Sequence, residues 1–290
     1  MSLATKVALP LIFSNGTLKA VDRPDGKIVY EDSGKPPNYT GRTALVSPGM
    51  GDFRHQFRFL GPKLFDAGYR VIAPDLRGHG DSDTTFKTYT VEDVAADLTS
   101  ILDAEQVSEN VVLMGNSFSG AVILAVAAQD PKRFAGVVPI CAFTRDMPGT
   151  SFMNGISVLI FNRLWGMPVW TTYFQSLFKA PPADLPAYVS AIRNSMMSDC
   201  SHAGIFGSFM RSSKNNAWEL SAKVQSPVLL LMGEKDPDFS NPLEECETVK
   251  SHLTQAKSCG IVLIEGTGHY PHVEKPEETF AQIKSFLDSL

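Results

Sequence analysis

Cysteine is scarce in this chain, with four in 290 residues (Cys141, Cys200, Cys246 and Cys259), and none of them forms a Cys-x-x-Cys pair. That usage supports neither a zinc site nor a disulfide framework, and a reducing cytoplasm is the expected setting. Long apolar runs are missing as well, since no stretch approaches the roughly 20 residues of a membrane span. The apolar run over residues 7–13 is interrupted by Pro10 and has no small-residue cleavage site after it, so it does not read as a secretory signal. Positive charge is not in excess: 26 Lys and Arg stand against 31 Asp and Glu, a net charge of -5. Neither nucleic acid nor a membrane is therefore expected as a partner. There is no Gly-x-x-x-x-Gly-Lys, and Glu265-Gly266-Thr267-Gly268 has too few glycines for a nucleotide loop. Asp236 and Asp238 lie close together, but no second ligand cluster accompanies them, so neither a metal nor a cofactor is expected. Internal repeats and low-complexity segments are absent.

What is present is a globular composition, 43% hydrophobic and 20% charged, which rules out a disordered or fibrous chain. Alternating patterns over residues 17–21 and 27–30, separated by Pro24-Asp25-Gly26, predict an antiparallel hairpin. Residues 43–46 predict a buried strand that ends in Ser47-Pro48-Gly49-Met50-Gly51-Asp52, a loop whose glycines let the backbone approach a ligand. Phe57, Leu60, Leu64 and Phe65 recur at helical spacing. Residues 69–73 predict a strand, followed by the glycine-punctuated turn Pro74-Asp75-Leu76-Arg77-Gly78-His79-Gly80-Asp81-Ser82. Val91, Val94, Ala95, Leu98, Ile101 and Leu102 mark a helix that opens at Thr90, with Asp93 in a capping-box position.

The most informative stretch is Val111-Val112-Leu113-Met114-Gly115-Asn116-Ser117-Phe118-Ser119-Gly120, a buried strand running into an Ala/Leu-rich helix. Ser117 occupies the tight turn between them. Such a turn requires small residues two positions on either side; Gly115 meets that need and Ser119 nearly does. Further strands are expected over residues 134–141, 227–233 and 261–264, with a last helix carrying Phe280, Ile283, Phe286 and Leu287 on one face. Between residues 143 and 224 the alternation stops, and aromatic residues and Met separated by Pro and Gly predict several short helices. Strands alternating with helices predict an α/β fold, a mostly parallel central sheet flanked by helices.

A serine hydroxyl needs an imidazole to take its proton, and the imidazole needs a carboxylate to fix its tautomer. In an open parallel sheet the ligand site lies at the carboxyl ends of the strands. Asp236 and His269 both fall there, each just beyond a strand. With Ser117 they run in the order Ser, Asp, His. At this point the sequence resembles the α/β-hydrolase family, through Ser47-Pro48-Gly49-Met50-Gly51, the Pro74 to Ser82 turn, the Ser117 elbow, Gly233-Glu234-Lys235-Asp236, and Gly268-His269, all in the family's order.

The resemblance implies an α/β-hydrolase core over residues 1–142 and 225–290, with residues 143–224 inserted as a helical cap. It implies Ser117 as nucleophile, His269 as general base and then acid, Asp236 as its orienting carboxylate, and the backbone N–H groups of Met50 and Phe118 as the oxyanion hole. Two positions depart from the family pattern: Ser119 stands where Gly is usual, and Ser47-Pro48 where many members have His-Gly. Asp146, beyond the strand at 134–141, is the alternative acid. Phe143, Trp165 and Tyr270 are candidates for the pocket wall, and His55 follows the oxyanion loop closely enough to face the pocket. His79, His202, His252 and His272 carry no expected role.

The expected activity is hydrolysis of a small to medium, mainly apolar ester or related acyl substrate. The expected partner is thus a small-molecule substrate, and kcat/KM is expected to fall below roughly pH 6 to 7 with the free histidine. Gly115-Asn116-Ser117 also resembles the elbow of hydrolases that cleave carbon-carbon bonds in ring-fission dienones, although those enzymes usually place Trp where this chain has Tyr270. A ligand receptor that retains the triad is the other alternative. Epoxide opening and dehalogenation in this family require Asp at the elbow, which Ser117 excludes.

Overall fold

A computed structural model describes residues 10–147, 166–197 and 202–290. Its strands are β1 (Thr17–Arg23), β2 (Gly26–Asp32), β3 (Thr43–Ser47), β4 (Arg70–Pro74), β5 (Val111–Asn116), β6 (Phe134–Ile140), β7 (Val228–Gly233) and β8 (Cys259–Ile264). They form one sheet in the order β1-β2-β4-β3-β5-β6-β7-β8. The β1–β2 hairpin and the β2–β4 pairing are antiparallel, and every pairing from β4 to β8 is parallel. Every residue of β3, β5 and β7 is buried, as strands covered on both faces require, whereas the edge strand β1 stays largely exposed.

The covering helices include α1 (Leu60–Asp66), α2 (Val91–Ala104) and α3 (Phe118–Gln129). The helical spacing from Phe57 to Phe65 resolves into two pieces, a 3-10 turn at Arg54–Phe57 and then α1. Pro62 explains the division, since its missing N–H is tolerated in the first turn of a helix but not in its interior. Helix α2 begins in the expected capping box: Asp93 N donates to Thr90 Oγ1 at 3.1 Å, and Thr90 N to the Asp93 carboxylate at 2.9 Å. Helix α3 is buried almost all round, which fits its Ala, Val and Leu content.

Strand register decides where the functional loops meet. Ser47 pairs with Gly115, Asn116 with Ile140, and Gly233 with Ile264, so the strands end level at their carboxyl edge. Four further helices of the described residues separate β6 from β7: α4 (Gly166–Ser176), α5 (Leu185–Met197), α6 (His202–Met210) and α7 (Asn215–Ser221). Trp170, Phe174, Tyr188, Ile192 and Phe206 from α4, α5 and α6 form a second apolar cluster with Phe53 and Tyr270 from the strand-end loops. Phe209 and Ala217 instead join the main core, and α7 packs on α3. The chain closes with α8 (Pro242–His252), α9 (Pro271–Glu274) and α10 (Pro276–Asp288). Among the described residues no helix is long and apolar enough to cross a membrane.

Candidate active site

Strand β5 ends at Asn116 and α3 begins at Phe118, so Ser117 alone makes the turn, with φ 55° and ψ -121°. A side chain other than hydrogen is strained in that region, and the surroundings must hold it there. They do so through the main chain: Ser117 N donates to Ile140 O at 2.9 Å, and Phe143 N and Gly120 N donate to Ser117 O at 3.1 and 3.0 Å. The crowding expected around the turn is present, since a Cβ at Gly115 would lie 2.5 Å from Ser119 O.

Asp236 and His269 are brought together by the loops after β7 and β8. Lys235 N donates to Thr267 O at 2.8 Å, and a Cβ at Gly233 would lie 1.8 Å from Gly268 O, so only glycine lets the two loops touch. His269 Nδ1 then sits 2.7 Å from Asp236 Oδ2, with both residues buried. Asp238 stands behind, its Oδ2 3.5 Å from the same nitrogen, while its own N–H donates to Asp236 Oδ1 at 3.0 Å. Burial presses the imidazole pKa down, but the charge and hydrogen bond of Asp236, with Asp238 adding to them, lift it to about 9. Two residues adjoining Ser117, its chain neighbour Asn116 and its hydrogen-bond partner Phe143, reach His269. Asn116 Nδ2 donates to His269 O at 3.1 Å, and the Phe143 ring lies 5.9 Å from that of His269.

The loop after β3 approaches the elbow closely, for a Cβ at Gly49 would be 3.1 Å from that of Ser117. Gly49 N donates to Gln56 Oε1 at 2.8 Å, and Gly51 N donates to His79 Nε2 at 2.9 Å. Met50 N has no hydrogen-bond partner among the described residues. Phe118, as the first residue of α3, has no intrahelical acceptor for its N–H.

A serine on a strained strand-to-helix turn, a buried carboxylate-bound imidazole and the partnerless Met50 amide thus stand in loops at the carboxyl edge of the sheet. Residues 44–283 match the family described as Alpha/beta hydrolase family. The chain belongs to that family. It is 26% identical to Lipase 3 of Moraxella sp. over 274 residues, covering 91% of this chain and 82% of the lipase. It is 24% identical to Epoxide hydrolase A of Mycobacterium tuberculosis over 326 residues, 94% of this chain and 98% of that enzyme. Among solved structures, an esterase from Rhodococcus sp. ECU1013 superposes with a TM-score of 0.72 at 25% identity, covering 95% of this chain and 99% of the esterase. This hydrolase therefore has lipase, esterase and epoxide hydrolase relatives.

Its two departures from the family pattern meet each other. Ser119 Oγ donates to Pro48 O, and Ser47 Oγ lies 2.9 Å from Ser119 Oγ, so the second serine of the elbow fastens the loop that the first substitution altered. The other candidates are placed as follows. Phe143 is half-buried beside His269. Tyr270 is buried, stacked on Phe178 at 4.7 Å and edge-on to His269. Trp165 lies outside the described residues. His55 is turned to the N-terminal segment, its Nε2 2.6 Å from Pro10 O. Asp146 accepts from Ser213 Oγ at 2.6 Å and from Lys214 N at 3.0 Å, so its carboxylate is engaged at the start of α7.

Four residues without an expected role touch this site. His79 is the acceptor for Gly51 N, which corrects the reading of it as a bystander in its turn. Gln56 bridges the loop to Asn116, its Nε2 2.6 Å from Asn116 Oδ1. Trp170 Nε1 donates to Gly51 O at 3.1 Å. Cys141 is fully buried, and its thiol lies within 4.8 Å of the donor atoms of Asp236 and His269. A soft cation would have to draw on those three groups, and each is already engaged; the thiol accepts from Gly233 N at 3.3 Å. Burial, with the charge of Asp236, pushes the Cys141 thiol well above its ordinary pKa, which makes it a poor nucleophile.

Proposed function

We propose that this protein is a serine hydrolase that cleaves small to medium, mainly apolar esters through an acyl-enzyme on Ser117. The observation that carries the reading is the buried Asp236–His269 pair at 2.7 Å, taken with a serine on a strained strand-to-helix turn in the family's Ser, Asp, His order. In the first step Ser117 Oγ adds to the ester carbonyl while His269 Nε2 takes its proton. The N–H groups of Met50 and Phe118 stabilise the oxyanion. Collapse of the adduct expels the alcohol, to which His269 returns the proton. Water, deprotonated by the same nitrogen, then releases the acid and restores Ser117. The lipase and esterase names among the relatives support an ester substrate, and helices α4 to α6, with their aromatic faces over the strand ends, serve as the cap that walls the pocket. The epoxide hydrolase relatives do not carry their reaction here, because that chemistry needs a carboxylate at position 117.

Carbon-carbon cleavage has less support. Asn116, the feature that suggested it, spends both Nδ2 hydrogens on Ile140 O and His269 O and one Oδ1 lone pair on Gln56, leaving no donor for a substrate. The test is a p-nitrophenyl ester series. Each methylene buried in an apolar pocket contributes about 0.8 kcal/mol, so kcat/KM should climb several-fold per carbon from acetyl to roughly hexanoyl, then fall. Phe143→Ala should move the optimum to longer chains. Succinyl preferred over butyryl, or dienone cleavage without ester turnover, would reject the proposal, and a single turnover that then stops would favour the receptor.

The pH profile is a second test, and it departs from the expectation of a limb at pH 6 to 7. His269 is a base only when neutral, and its carboxylate neighbours hold the proton up to about pH 9, so kcat/KM should keep rising from pH 7 towards 9. Asp238→Asn removes one of those charges and should move the limb to lower pH. A wild-type limb at the free-histidine value, unmoved by Asp238→Asn, would contradict the assignment. The sign for stability is opposite. A raised histidine pKa stabilises the fold fully below about 6.5, and that contribution is lost as pH rises through 9.

A further inference from the structure

Resting on the serine-hydrolase reading, we infer that His79 and Gln56 are positioning residues that hold the loop after β3 so that Met50 N–H alone is left to receive the oxyanion. The amides and carbonyls that flank Met50 in the loop are each engaged. Pro48 has no N–H, and its carbonyl accepts from Ser119 Oγ. Gly49 N is taken by Gln56 Oε1 at 2.8 Å, and Gly49 O accepts from Asp52 N at 3.3 Å. Gly51 N is taken by His79 Nε2 at 2.9 Å, and Gly51 O accepts from Trp170 Nε1 at 3.1 Å. Between two amides fixed on either side, the Met50 amide is the unengaged one.

The chemistry of His79 is determined by its partners. A backbone N–H can only donate, so Nε2 must carry a lone pair, and Nδ1 then carries the hydrogen that it donates to Arg77 O at 3.0 Å. Gln56 is fixed in the same way, accepting from Gly49 and donating to Asn116 Oδ1, whose own amide holds the His269 carbonyl. Both side chains are buried, so neither bond is exchanged for water without cost. One ring of α6 supports both halves of the arrangement, because Phe209 packs edge-on against His79 and against Phe118, each at 5.1 Å. His79 touches no substrate in this account. It acts on the reaction through the direction of a neighbouring amide.

Loss of a whole oxyanion donor typically lowers kcat by about 10² to 10³, and a misdirected donor should cost less. In the full-length enzyme, His79→Phe is expected to lower kcat by roughly 10- to 100-fold with KM within about twofold, and to slow phosphonylation of Ser117 equally. His79→Gln, whose side-chain oxygen can accept from Gly51, should recover most of the rate. Gln56→Leu should show the same split between kcat and KM. A folded His79→Phe enzyme with unchanged kcat, or with KM rising in step, would overturn the inference.

Should both substitutions prevent folding, the wild type itself provides the test. With ¹⁵N-labelled Met and Gly, formation of the phosphonate adduct should move the Met50 amide resonance downfield, while those of Gly49 and Gly51 stay nearly fixed. Met50→Leu identifies the Met50 signal among the ten methionines. Movement of Gly49 or Gly51 with Met50 unmoved would refute the account while leaving Ser117 as nucleophile. A wild type that takes no phosphonate would refute the hydrolase reading, and this inference with it.

Discussion

Ser117→Ala is expected to remove organophosphonate labelling entirely and to lower ester turnover by about 10⁶-fold, with the residual rate coming from binding and the oxyanion amides. The fold should not change. What holds residue 117 is its main chain, bonded to Ile140, Gly120 and Phe143, and alanine keeps all three bonds and the same φ of 55°. The melting temperature should therefore stay within a few degrees. Ser117→Gly should be equally inactive but more stable, because glycine adopts that φ without the steric cost that any side chain incurs, of order 1 kcal/mol or more. A Ser117→Ala protein that still took up phosphonate on one peptide would place the nucleophile elsewhere. A glycine variant no more stable than the alanine variant would show that the turn is not strained.

The tight turn at Ser117, which follows from local crowding, was legible in the sequence. Gly115 marks a strand and a helix in contact, and a serine between apolar runs has few other reasons to stand in so tight a turn, whereas the contact of the loops at Gly233 and Gly268 became visible only in the structure. Residues that act across strands were not legible. Nothing near position 79 in the chain says that its ring meets the amide of residue 51. The contact exists because β3 and β4 lie side by side in parallel and end together. Adjacency of those two strands, had it been assumed, would have placed the Gly78-His79-Gly80 turn beside the Gly49–Gly51 loop and given the histidine a partner.

Asp52 escaped notice for a related reason. After Pro-Gly-Met-Gly it looks like a solvated turn residue, yet it is fully buried under α5, its Oδ1 accepting from Tyr188 Oη at 2.6 Å. Burial pushes its carboxyl up to about 7 against the pull of that hydroxyl. The helices that cover it set its environment, and those helices come from a stretch whose aromatic composition announces burial without announcing a partner.

Asp236→Asn should lower kcat by about 10⁴, the loss seen when the orienting carboxylate of a serine enzyme becomes an amide. The physical cause lies at His269 Nδ1. The carboxylate accepts a hydrogen there at 2.7 Å, which leaves the lone pair on Nε2, the nitrogen that the proposed mechanism uses as base. An asparagine nitrogen in the same place donates instead, reverses the tautomer, and gives Nε2 a hydrogen that prevents it from taking the serine proton. Burial would also act on the imidazole without the charge that now outweighs it, so the acid limb of the residual activity should move well below that of the wild type. Asp238, at 3.5 Å from the same nitrogen, can take up part of the role, and the double variant with Asp238→Asn should be slower than Asp236→Asn alone. Asp146→Asn provides the control. Its carboxylate is bonded to Ser213 and Lys214 at the head of α7, so its loss should cost about 1 kcal/mol of stability and leave kcat within about threefold of wild type. If Asp146→Asn were the crippled enzyme and Asp236→Asn the active one, the acid would have to be reassigned to the strand that ends at Ile140.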